Sequence, residues 1–289
     1  MKRKDFLLTI AGAGIMAGLG SLRTFAEDFK ERDKKMPVYF FGHGSPMNGI
    51  EDNEFSRGWR EVGKSLDYPS AVLCISAHWL THGTHVTAMN KPRTIHDFGG
   101  FPKALYEIQY PAPGYPELAE EVGKTITSVK VGMDHEWGLD HGCWVVVKEM
   151  FPDANIPVLQ LSIDYNKPAE YHYKLAKELA SLRKKGVLIM GSGNMVHNLR
   201  MIGWDMPDSG FDWAEEMNQI FKKKIASREH SSLINYDSLN PAARLAIPTP
   251  DHYYPLLYSL GLQEEKEETE FFNDKAVMGS VTMTSVKIS

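Results

Sequence analysis

Cysteine is scarce in this chain: Cys74 and Cys143 are the only two among 289 residues. With no CxxC pair, a thiolate zinc knuckle is excluded. One cysteine lies inside an apolar run and the other at the start of a predicted helix, so buried thiols are expected rather than a disulfide. Clustered cations are lacking too. The formal net charge is −5 and no Lys/Arg-rich block follows the N-terminus, which argues against nucleic acid as a partner, since phosphate binding needs grouped positive charge. Away from the N-terminus, no apolar run approaches the roughly 20 residues of a membrane-spanning helix. Repeats and Ser/Gly linkers are also missing, so one domain is the simplest organisation.

What is present begins with an export signal over residues 1–26. Lys2-Arg3-Lys4 forms a basic start, Phe6 to Leu19 an apolar stretch, and Thr24-Phe25-Ala26 a small-residue cleavage site before Glu27-Asp28. Arg3-Lys4-Asp5-Phe6-Leu7 resembles a twin-arginine signal with Lys in place of the second Arg. The expected location is the periplasm, with cleavage near Ala26 and no stable membrane association afterwards.

From Pro37 the chain alternates between strand-like and helix-like segments. Strands are expected at Val38–Phe41, Val72–Ser76, His85–Met89, Val158–Ile163 and Val187–Met190, with Leu105–Tyr110 extended and Val277–Val286 as a closing strand. Helices are expected at Glu54–Leu66, Tyr115–Thr127, Pro168–Lys185 and Trp213–Ser227, with a short one opening near His252 and running to Leu260. The acidic Glu264–Glu270 segment reads as a solvated turn. This order predicts a single α/β domain over 37–289: three α/β/α layers around a mixed, largely parallel sheet.

His43, His78 and His197 each lie just past one of these apolar runs, and His252 beyond a further strand-like run, Leu245-Ala246-Ile247, in loops rich in Gly, Pro and Ser. Loops at the carboxyl ends of strands are where α/β sheets bind ligands. Several neutral imidazoles at that rim suit zinc or ferrous iron and leave positions open for water or substrate. His141, in Asp140-His141-Gly142, immediately precedes a helix and can face a pocket. His96 and Phe98 sit in the aromatic, glycine-rich loop His96-Asp97-Phe98-Gly99-Gly100-Phe101-Pro102, suited to covering a flat substrate. His82, His85, His172 and His230 have only loop or surface context and are read as structural.

The segments Gly42-His43-Gly44-Ser45-Pro46-Met47, Ser76-Ala77-His78-Trp79, His96–Pro102 and Leu139-Asp140-His141-Gly142 resemble those of the class III extradiol ring-cleavage dioxygenases, of the 4,5-DOPA dioxygenase type. Gly191-Ser192-Gly193-Asn194, Val196-His197-Asn198 and Pro250-Asp251-His252 match in the same order, so the resemblance covers nearly the whole chain after the signal. It implies a single-metal enzyme that opens a catechol such as DOPA with O2, using Fe(II), with Zn(II) at the same position in some forms. It further implies His43, His78 and His252 as metal ligands, and His197 as either a fourth ligand or the acid/base. His141 would contact substrate or oxygen, and His96 and Phe98 would contact substrate. Distant relatives place a glutamate where this chain has His252.

Read from the residues alone, the same histidines also suit a three-histidine zinc hydrolase, with His197 or Asp251 as base, or a periplasmic metal-binding protein without turnover. The aromatic loop favours the dioxygenase.

Overall fold

The computed structural model describes residues 29–289, so the expected signal at 1–26 lies outside the described residues. Six strands form the main sheet: β1 Val38–Gly42, β2 Ala71–Ser76, β3 Val158–Gln160, β4 Val187–Gly193, β5 Thr269–Phe272 and β6 Ser285–Ile288. Their order across the sheet is β3-β2-β4-β1-β6-β5. The first four run parallel, while β6 is antiparallel to β1 and β5 antiparallel to β6.

The parallel strands are continuous apolar runs because both of their faces are covered. Val38 and Phe40 of β1, Leu73 and Ile75 of β2 and Ile189 of β4 pack into one core. That core is shared with helices α2 (Pro116–Thr125), α4 (Ala169–Glu178), α5 (Asp212–Ala226) and α6 (Tyr254–Gly261). The alternate residues Tyr39, Phe41, Val72, Cys74, Leu188 and Met190 point the other way, into a second core with α1 (Glu54–Ser65) and α3 (His141–Met150). The period-2 alternation of strand side chains thus produces the α/β/α sandwich.

Several local expectations differ from the structure. The run Leu245-Ala246-Ile247, expected as a strand before His252, belongs to the short helix Ala243–Ala246 and its end. The acidic segment expected as a solvated turn buries Glu267 against Arg183 and leads into β5. Leu105–Tyr110 is not extended: Lys103–Tyr106 is a short helix after Pro102, turning Leu105 into the core. A short apolar run does not by itself distinguish a strand from a buried turn of helix. The expected Pro168–Lys185 helix is two, Ala169–Glu178 and Ala180–Lys184, meeting at Leu179. The closing segment is broken into Ala276–Val277, Val281–Thr282 and β6, because Met278 and Gly279 take left-handed φ values of 53° and 75° and turn the chain. Cys74 and Cys143 are both free and buried.

Register decides where the site lies. Gly42 pairs with Gly193, and Ser76 with Ser192, so β1, β2 and β4 end level with one another. The residues that follow them emerge on one rim.

Candidate metal centre

His43 leaves β1 at this rim with its backbone N–H donating to the Gly193 carbonyl at 3.1 Å. His78 follows β2 after one turn. Past β4, the His197 N–H donates to the Ala246 carbonyl at 2.9 Å. His252 lies in the lead-in to α6, where its carbonyl accepts from Asn194 at 2.9 Å. That close approach requires glycine at the end of β4, since a Cβ on Gly193 would lie 2.1 Å from the His252 carbonyl oxygen. His141 opens α3, whose N-terminus is capped by Asp140 accepting from the Cys143 N–H at 3.1 Å.

These side chains converge. Ring centroids of His43 lie 5.1 Å from His78, 5.4 Å from His141 and 5.4 Å from His252. His78 is 3.9 Å from His141 and 5.0 Å from His252. One nitrogen from each of His43, His78 and His141 falls within 4.8 Å of the others. His197 stands apart from that trio, stacked face to face on His252 with centroids 3.5 Å apart and planes 9° from parallel. The closest set therefore contains His141, where the sequence pointed to His197 and His252 beside His43 and His78.

The hydrogen bonds around the rings fix which nitrogen is free. Ser192 Oγ has one proton and donates it to the Gly142 carbonyl, which can only accept. His43 Nδ1, 3.0 Å from the same Oγ, must then be the donor, leaving its Nε2 a lone pair. His78 Nδ1 faces the Asp97 carboxylate at 3.3 Å and His252 Nδ1 that of Asp251, so both are donors as well. His43 Nε2 and His78 Nε2 consequently face each other at 3.1 Å with lone pairs on both sides. That contact repels unless a cation lies between them.

A metal fits this donor set. With metal–nitrogen bonds of about 2.0–2.1 Å, two ligand nitrogens lie about 3.0 Å apart at a right angle and about 3.4 Å apart at a tetrahedral one. The pattern of an imidazole backed by a carboxylate or hydroxyl is the usual outer support of metal-bound histidine. Burial is the main cause that pushes the pKa values of His43, His78 and His197 well down, with neighbouring histidines adding to it, so these rings stay neutral and able to donate lone pairs. Desolvation opposes ionisation of Asp97 and Asp251. Hydrogen bonds from His141 and His252 outweigh it, and both carboxyls sit below their ordinary range.

Asp140 is a different case. Fully buried, it accepts from Ser76 Oγ at 2.6 Å and Gln160 Nε2 at 2.6 Å, and its backbone N–H donates to Gln160 Oε1 at 3.1 Å. Burial and then the charge of Asp97 raise its pKa. It ties α3 to β2 and β3 beneath the histidines. Gly142 completes this packing: a Cβ there would lie 2.6 Å from Ser76 Oγ, 2.9 Å from His78 Cδ2 and 3.2 Å from His43 Cε1.

The aromatic loop forms one wall. The Phe98 ring meets the His141 ring edge-on at 5.6 Å and lies 5.5 Å from Phe101 and 5.1 Å from Tyr106. His96 is one layer further out, with Nε2 donating to the Ile108 carbonyl at 2.9 Å and its ring against Phe98 and Trp144. Its ring holds the loop, and Phe98 stands between it and the His141 ring. Of the histidines read as structural, His172 is buried against Tyr254 and Tyr258, away from the cluster. The supporting Asp97, Ser192, Asp140 and Gly142 were not singled out from sequence; the one available signal was Asp97 and Asp140 each standing directly beside a histidine.

The family described as the catalytic LigB subunit of aromatic ring-opening dioxygenase matches residues 37–287. A 4,5-DOPA dioxygenase extradiol of Escherichia coli strain K12 is 46% identical over 258 residues, covering 88% of this chain and 95% of that protein. Its namesake from Beta vulgaris is 35% identical over 264 residues, covering 89% and 98%. The crystal structure of an uncharacterised protein from Escherichia coli K12 superposes with a TM-score of 0.78 at 41% identity, over 88% of this chain and 100% of that one.

Proposed function

Because this chain belongs to the family of catalytic LigB subunits of aromatic ring-opening dioxygenases, and is thus an extradiol ring-cleaving enzyme, we propose that it opens a catechol such as DOPA with O2 and Fe(II). The reading is carried by the facing lone pairs of His43 and His78, 3.1 Å apart at the rim where the other imidazoles gather. The names of the bacterial and plant relatives support DOPA or a close analogue.

In this reading His43, His78 and His252 hold the metal, and His141, in the same cluster, closes the coordination space or contacts the bound substrate. Ferrous iron would supply the accessible redox states that let ground-state O2 react with a closed-shell ring; zinc on the same donors lacks them. Phe98 presents an apolar face for the flat ring, while His96 and Trp144 hold that loop in place. His197 is neutral at pH 7 and carries a lone pair, so it can take a catechol hydroxyl proton and later return it. Residues 1–26 would direct this enzyme to the periplasm.

The test is anaerobic loading with Fe(II) followed by admission of air in the presence of a series of diphenols. Oxygen uptake with a yellow ring-opened product is expected for at least one catechol. Absence of uptake with every catechol, or full hydrolytic activity with Zn(II) and no O2, overturns the reading.

A further inference from the structure

The side chain of Asp97 reaches from the aromatic loop to two rings of the cluster at once. Its Oδ1 accepts from the His141 backbone N–H at 2.9 Å and lies 3.0 Å from His141 Nδ1. Its Oδ2 lies 3.3 Å from His78 Nδ1. An ionised carboxylate only accepts hydrogen bonds, so a lone pair on either Nδ1 would face another lone pair at these distances. His141 Nδ1 is buried and makes no aligned hydrogen bond, and the Asp97 carboxylate oxygen 3.0 Å away is the polar atom it faces.

We propose that Asp97 is the positioning residue that sets the Nδ1–H tautomer of both His78 and His141, and so latches the aromatic loop to the metal centre. The inference rests on the metal reading above and assigns a role to a residue outside the expected ligand set. Asp97 is held between His96, whose ring is tied to Ile108, and Phe98, whose ring meets His141. Beyond it, Gly99 and Gly100 contact nothing within 4 Å of where a Cβ would stand, so the glycine tip contributes little anchoring. One carboxylate therefore leaves the lone pair on Nε2 of both imidazoles, that of His78 facing His43, and fixes the segment carrying the substrate-side wall. Outer partners of this kind typically change metal affinity by about 10–100-fold when lost.

The variant that separates charge and acceptor character from shape is Asp97→Asn. Its amide oxygen can still accept from the His141 N–H, but its NH2 then faces His78 Nδ1. His78 must accept there and carry its proton on Nε2, aimed at His43. The experiment is long-range 1H–15N NMR of the imidazoles in the metal-stripped full chain, paired with Zn(II) titration. Wild type is expected to show Nδ1–H for His78 and His141; Asp97→Asn is expected to show Nε2–H for His78 and Zn(II) affinity lower by about 10–100-fold. A merely structural role would lower thermal stability without moving the tautomer. His78 remaining Nδ1–H in the variant, with Zn(II) affinity unchanged, overturns the proposal. If the variant does not fold, the wild-type spectrum decides, since Nε2–H on either ring contradicts it. Wild type that binds no Zn(II) at all instead overturns the metal reading, so the two failures are distinguishable.

Discussion

His43 Nε2 and His78 Nε2 face one another at 3.1 Å, and the partners of their Nδ1 atoms, Ser192 and Asp97, leave both with lone pairs. Two such atoms, brought together from the loops after β1 and β2, repel unless a cation lies between them. Replacing either His43 or His78 by Ala should therefore reduce metal affinity by more than the roughly 10–100-fold expected for an outer partner. Metal per chain after loading and desalting is the measurement; unchanged stoichiometry removes that residue from the ligand set.

His197 stacks on His252 and is not among the three nitrogens that approach most closely. His197→Ala should keep the metal and lose turnover by about 10²–10⁴-fold, the usual range for a general acid/base. Loss of metal together with turnover would instead make His197 a ligand.

Gly142 allows the rings of His43 and His78 to lie against the first turn of α3. In Gly142→Ala the new methyl would overlap Ser76 Oγ and His78 Cδ2, at 2.6 and 2.9 Å. The expected cost is about 1–3 kcal/mol of stability, typical of overpacking, together with weaker metal binding. Thermal melts with and without Zn(II) check both; a variant that melts and binds as wild type does shows that the rings can shift freely.

His172 predicts an acid-sensitive stability far from the metal. Burial lowers its pKa from 6.5 to about 4, so the unfolded chain binds the proton more tightly than the folded one. The neutral buried form contributes fully above pH 6.5, and its contribution falls as the pH drops from there towards 4. Between pH 8 and pH 5 wild type should lose about 2 kcal/mol through this residue alone. Urea unfolding of wild type and His172→Gln at both pH values measures the difference, and equal pH dependence in the two contradicts it.

Three of the clustered histidines were legible because His43, His78 and His197 each follow a strand of the main sheet, whereas His252 follows the short helix Ala243–Ala246. The strand register then brings them level: Gly42 opposite Gly193 and Ser76 opposite Ser192. The alternation of strand-like and helix-like segments likewise pointed to a sheet covered on both faces, and Val38 and Phe40 face one core while Tyr39 and Phe41 face the other. The supporting shell was not legible, since it depends on contacts between distant segments. Ser192 meets His43 across 149 residues of sequence and Asp97 meets the His141 amide across 44, and no local pattern encodes either pairing. The family resemblance implied His141 as a contact for substrate or oxygen, and a helix start alone fixes no direction for the ring; its place in the closest trio follows from Asp140 capping α3 and anchoring it to β2 and β3. The helix at Lys103–Tyr106 was missed since four residues carry too little periodicity to show a period.

X-ray absorption of the anaerobic Fe(II)-loaded protein tests the shared cation most directly. At least three imidazole nitrogens are predicted at about 2.0–2.2 Å, a range set by metal–imidazole bonding, with the imidazole scattering reduced in His43→Ala and His78→Ala. Iron surrounded by oxygen alone, or a spectrum that neither substitution alters, would contradict the account.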